Sequence, residues 1–124
     1  MMARIGIIGK KGLTNRERAK LNYIGQCMAL AGHTLITSQD NGTAHAVALG
    51  FLERGGNRES VSNNVIAESD FVIAYVNKTF MLEAQKAYPD FADRPDVAVA
   101  WPEDLEAWVS AMQTVLQDKN VDHP

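Results

Sequence analysis

Six consecutive apolar residues, Phe71-Val72-Ile73-Ala74-Tyr75-Val76, constrain this chain most. A strand with one wet face alternates apolar and polar residues, whereas an unbroken apolar run buries both faces. The segment therefore reads as a central strand of a sheet covered on both sides. Three further runs read as strands: Arg4-Ile5-Gly6-Ile7-Ile8, His33 to Thr37, and Val97-Ala98-Val99-Ala100-Trp101. Between and after them the apolar spacing is helical. Leu21, Ile24, Cys27, Met28 and Ala31 share one helix face, and Ala44, Val47, Ala48 and Phe51 another. Phe80 to Tyr88 reads as a helix ended by Pro89, and Leu105, Trp108, Val109, Met112, Val115 and Leu116 form a last buried stripe. Thr14 with Glu17 three residues on is a capping box, and Gly32 stands where a helix C-terminus needs glycine. Strands alternating with helices predict an α/β fold with a mostly parallel sheet of about four to five strands between two helical layers. Arg58 to Asn64 has no clear period, and a short helix over Ser62 to Ser69 is the reading there.

The chain has 124 residues, enough for one core and too few for two. Residues 1–118 are expected to form a single domain and 119–124 a flexible tail. The net charge of -3 opposes a broad nucleic-acid surface. A single cysteine, Cys27, rules out an internal disulfide and a multi-cysteine zinc site, and its helix face predicts a buried structural thiol. No signal peptide or membrane-length apolar run is visible, so the expectation is a cytoplasmic chain with no membrane partner. His33, His45 and His123 lack chelating spacing, so no metal is expected. No cofactor is expected to be required; a nucleotide is the expected ligand.

Ligands of parallel α/β folds collect where the strands end. The stretch from Thr37 to Ala46 runs from a strand into a helix through Ser38, Asn41, Gly42 and Thr43, leaving N–H donors at the positive end of a helix dipole. His45 lies in the first turn of that helix. Gly9-Lys10-Lys11-Gly12 ends the first strand, with Gly9 allowing close approach and the lysines offering charge to a phosphate. Asn77, after the central strand, completes the expected ligand edge. Glu83 is the carboxylate best placed for chemistry at an anomeric carbon, although an exposed helix carboxylate beside Lys86 is the plainer reading.

Ile7-Ile8-Gly9, Ala31-Gly32-His33, Leu35-Ile36-Thr37-Ser38, Asn41-Gly42-Thr43-Ala44-His45-Ala46-Val47-Ala48-Leu49-Gly50 and Gly55-Gly56 together resemble the amino-terminal half of the SLOG superfamily. That group includes the LOG phosphoribohydrolases and the DNA-processing protein DprA. The resemblance covers Arg4 to Val76 and implies a Rossmann-like three-layer sandwich, a phosphate-binding turn and a homodimer or higher homo-oligomer. Gln39 and Asp40 stand where the family has glycines. The LOG motif Pro-Gly-Gly-x-Gly-Thr-x-x-Glu is replaced by Tyr75-Val76-Asn77-Lys78-Thr79-Phe80-Met81-Leu82-Glu83, so phosphoribohydrolase activity is not carried over. Three functions follow: a small nucleotide-binding protein, an N-glycosidic hydrolase or transferase using Glu83, and a DprA-like binder of single-stranded DNA.

Overall fold

The computed structural model describes residues 3–38, 42–56, 59–61 and 64–118. The chain runs β1 (Arg4–Gly9), α1 (Asn15–Leu30), β2 (Thr34–Thr37), α2 (Thr43–Glu53), β3 (Glu59–Val61), α3 (Val65–Glu68), β4 (Phe71–Tyr75), α4 (Lys78–Ala87), β5 (Val97–Ala100) and α5 (Leu105–Asp118). Short 3-10 turns at Phe91–Asp93 and Pro102–Asp104 flank β5. The five strands form one sheet in the order β3-β2-β1-β4-β5, every pairing parallel. The expected α/β architecture is therefore present, and Rossmann-like in its strand order.

The apolar run at 71–76 does bury both faces. Phe71, Ile73 and Tyr75 join Leu21, Ile24 and Met28 of α1, Val47 and Phe51 of α2, and the stripe of α5 in one core. Val72, Ala74 and Val76 join Met81, Phe91 and Val97 in the other. The capping box is formed: the Thr14 hydroxyl accepts from the Glu17 N–H at 3.1 Å, and a Glu17 carboxylate oxygen accepts from the Thr14 N–H at 2.8 Å.

Two elements differ from the expectation. β3 lies in the polar stretch that has no readable period; at three residues it is too short to show one, and its backbone pairs with Leu35 to Thr37. The short helix is confined to Val65–Glu68, because the Asn64 side chain accepts from the Ala67 N–H and so fixes the start. Ser62, Gln39, Asp40, Asn41 and the tail at 119–124 lie outside the described residues. Among the described residues, no helix is long and apolar enough to cross a membrane.

His33 shows how the edge at the amino-terminal ends of the strands is locked. It is 1% exposed; its Nδ1 accepts from the Ala3 N–H at 3.2 Å and its Nε2 lies 2.7 Å from the Leu116 carbonyl oxygen. One neutral tautomer serves both contacts, tying β1 to the end of α5.

Candidate functional site

The chain moves outward from β1 to β2 and β3, then returns to place β4 on the other side of β1. The strand order thus reverses between β1 and β4, and the loops that leave their carboxyl ends splay apart there. Gly9 and Tyr75 are register partners at this point. The Lys10 N–H donates to the Tyr75 carbonyl at 2.8 Å. The Lys10 carbonyl in turn accepts from the Thr43 N–H at 3.2 Å and from the Thr43 hydroxyl at 2.9 Å. Three segments of backbone, from β1, β4 and α2, are therefore sewn together at one edge.

Glycines make this possible. A Cβ on Gly9 would overlap the Tyr75 carbonyl oxygen and lie 2.6 Å from the Thr43 hydroxyl. A Cβ on Gly42 would lie 2.5 Å from the Lys11 Cα and 2.6 Å from the Lys10 carbonyl oxygen. Gly42 is the N-cap of α2 and has no side chain with which to cap it. Gly12 is exposed and a Cβ there would meet nothing, so it takes no part in this close packing.

The side chains beneath the edge form a buried polar cluster. Glu17 is 6% exposed, and its Oε2 lies 2.7 Å from the Lys10 Nζ. The fully buried Tyr75 hydroxyl donates to the same oxygen. Lys10 also sits over the Tyr75 ring, its Nζ 5.4 Å from the centroid, a cation–π arrangement. Burial works to raise the Glu17 carboxyl, but the Lys10 ammonium, the Thr14 N–H and the Tyr75 hydroxyl together hold it down to about 2. Burial first, and then the Glu17 charge, push the Tyr75 phenol above its ordinary value.

The predicted site residues divide by location. Gly9, Lys10, Gly42 and Thr43 meet at the edge just described, with Lys11 exposed beside them. Lys10 directs its ammonium inward to Glu17, and the Thr43 hydroxyl is committed to the Lys10 carbonyl. Ser38 is half-buried at the end of β2. His45 is exposed on α2, where with Arg18, Asn22 and Gly42 it borders a small cleft between α1 and α2 of about 80 Å³.

Lys10, Lys11, Asn77, Thr79, Phe80 and Glu83 line an open groove of about 230 Å³ between the β1 loop and α4. The Asn77 side chain accepts from the Phe80 N–H at 2.8 Å and so caps α4. Asn77→Ala is expected to cost about 1 kcal/mol of stability, measured by urea titration. Glu83 is exposed and pairs with Lys86 at 3.1 Å, the plainer of its two readings. Glu17 and Tyr75 were not among the predicted site residues. The signal for Tyr75 is a phenol inside a buried strand, which needs a hydrogen-bond partner.

The fold and this edge define a class: a small Rossmann-like α/β protein with a glycine-packed turn at its topological switch point. Solved structures that share the fold include two cofactor proteins. The molybdenum cofactor carrier protein of Chlamydomonas reinhardtii superposes with a TM-score of 0.64 at 18% identity, over 94% of this chain and 87% of that one. The molybdenum cofactor binding protein of the phototrophic bacterium Rippkaea orientalis superposes with a TM-score of 0.64 at 19% identity, over 98% of this chain and 88% of that one. No protein-family model and no curated protein matches the sequence. At such identity the likeness establishes the fold. It also corrects the expectation that no cofactor is required, since both neighbours are cofactor proteins by name.

Proposed function

We propose that this chain is a small-molecule carrier that holds a phosphate-bearing heterocycle at the β1/β4 switch point, the molybdenum cofactor being the first candidate. The observation that carries the reading is the packing of Gly42 and Gly9 against the Lys10 backbone, which brings the start of α2 up to the β1 loop at the switch point. The Thr43 N–H is spent on the Lys10 carbonyl, so an oxyanion beside this helix start is favoured by the helix dipole. Lys11 stands exposed beside it. The adjoining groove, with Phe80 and Asn77 in its wall, offers an apolar surface and a polar rim for a ring.

These residues favour a pterin cofactor with one phosphate: Lys11, exposed beside the start of α2, at the phosphate, and the groove at the ring. The cofactor's redox chemistry belongs to the enzyme that receives it; this chain would bind, orient and shelter it. The resemblance to the SLOG superfamily favours a nucleoside monophosphate as the second reading, because the same edge would take its phosphate. Cleavage of a glycosidic bond is less favoured, since Glu83 is exposed and paired with Lys86.

A ligand that binds only the folded state raises the melting temperature. Cofactor released from a molybdoenzyme is expected to raise it by a few degrees, and Gly42→Asp to abolish the rise. That substitution puts a Cβ against the Lys10 and Lys11 backbone and a negative charge at the start of α2. A rise with nucleoside monophosphates alone would move the reading to the nucleotide. No rise with either, or a rise that Gly42→Asp leaves intact, would sink the site.

A further inference from the structure

Lys10 borders two environments at once. It lines the open groove with Lys11, Asn77, Thr79, Phe80 and Glu83, yet its Nζ is 2.7 Å from the buried Glu17 carboxylate and its side chain is only 14% exposed. Glu17 is held in place from three directions: by the Thr14 N–H, by the Tyr75 hydroxyl, and by its own position in the first turn of α1. It cannot follow Lys10 outward without breaking the capping box and exposing an unpaired Tyr75 hydroxyl. A ligand anion in the groove therefore has to compete with a fixed, hydrogen-bonded carboxylate for the ammonium.

Lys11 is the other cation lining the groove, and Glu83 in the same wall is paired with Lys86. A first phosphate at the start of α2 finds Lys11 and the helix dipole. A second or third phosphate reaches further along the groove towards the Glu83–Lys86 pair, while Lys10 stays turned to Glu17.

We propose that Glu17 is a specificity-determining residue: by keeping the Lys10 ammonium inward, it makes the site select a ligand with one phosphate and reject di- and triphosphates. This rests on the placement of the site at the β1/β4 switch point. Glu17 touches no ligand in this role; it acts through Lys10.

The test uses inorganic phosphate, pyrophosphate and tripolyphosphate as probes, with binding followed by calorimetry on the full chain. Wild type is expected to bind tripolyphosphate no more tightly than phosphate. Glu17→Gln keeps the shape and an acceptor for the Thr14 N–H but drops the charge that retains Lys10. It is expected to gain about tenfold for tripolyphosphate relative to phosphate, as a freed ammonium forms charge-assisted bonds. The gain should vanish in Glu17→Gln/Lys10→Met.

Unchanged anion preference in Glu17→Gln overturns the proposal, and so does a wild type that already prefers tripolyphosphate tenfold. If Glu17→Gln does not fold, the neutral double variant decides alone. Retention of wild-type phosphate affinity supports the masking of Lys10, and its loss shows that Lys10 is itself the ligand. A gain in Glu17→Gln that Gly42→Asp does not reduce would uphold the masking and refute the position of the site.

Discussion

Gly25→Ala is expected to lower the melting temperature by roughly 10 °C, and Gly25→Val to prevent folding. The helices α1 and α2 cross with each backbone pressed on a glycine of the other. A Cβ on Gly25 would overlap the Val47 carbonyl oxygen and lie 2.8 Å from the Phe51 nitrogen. A Cβ on Gly50 would overlap the Asn22 carbonyl oxygen and lie 2.7 Å from its carbon. These neighbours are helix backbone, which cannot rotate aside as a side chain would. Adding a methyl group must therefore separate the helices. That separation opens the core where Leu21, Ile24 and Met28 face Val47 and Phe51.

In an ordinary helix interior, glycine to alanine gains about 1 kcal/mol. Here overpacking of a dense core, typically about 1–3 kcal/mol and more against rigid backbone, outweighs the gain. A net loss near 3 kcal/mol corresponds to roughly 10 °C in a domain of this size. Gly50→Ala should behave alike, and the double variant should lose less than the sum, because one separation accommodates both methyl groups. Gly12→Ala is the internal contrast: its Cβ meets nothing, so its effect should stay within about 0.5 kcal/mol or favour folding through the unfolded chain. Melting curves of Gly25→Ala and Gly50→Ala that coincide with wild type would exclude this crossing.

Those two glycines also mark what the sequence makes legible. Both stand inside clear helical periods, where glycine is unfavourable unless something packs against it. The signal was present; the partner was not, because pairing α1 with α2 is a tertiary fact. The same division holds elsewhere. Strands β1, β2, β4 and β5 and the four long helices follow from apolar period and capping residues, whose causes are local. β3 does not, because Glu59-Ser60-Val61 is held by backbone pairing to β2.

At the site, Gly9, Gly42 and Thr43 were readable as a strand-to-helix edge. Glu17 was read only as the N3 partner of Thr14, which accounts for one of its oxygens. The other oxygen serves Lys10 and Tyr75, seven residues before it and 58 after it in the chain. No local pattern encodes that meeting. The sequence offers Lys10 as a cation for phosphate, and the fold pairs its ammonium with a carboxylate.

The Lys10–Glu17 pair yields the second large effect. Lys10→Met is expected to destabilise the protein by about 3–5 kcal/mol, since it strands a buried carboxylate. Glu17→Gln should cost less, because Lys10 borders the open groove and can turn its charge to water. Lys10→Met/Glu17→Gln removes both charges and should recover most of the loss.

The pH dependence separates this from a simple packing defect. In wild type the Glu17 carboxyl is held at about 2, below the ordinary glutamate value of about 4.3. The unfolded chain therefore binds the proton first as pH falls. Its contribution, roughly 3 kcal/mol, is complete above about pH 5 and is lost as pH falls towards 2.

Without Lys10, burial still raises the carboxyl and only the Thr14 N–H and the Tyr75 hydroxyl are left to lower it, so its folded value moves up from about 2. The gap to the unfolded value closes, and the gain in stability between about pH 2 and 5 should be smaller in Lys10→Met than in wild type. Urea titrations of wild type and Lys10→Met across that range measure the difference directly. Parallel curves for the two proteins would mean that Lys10 and Glu17 are not coupled, and would remove the basis for treating Lys10 as a masked cation.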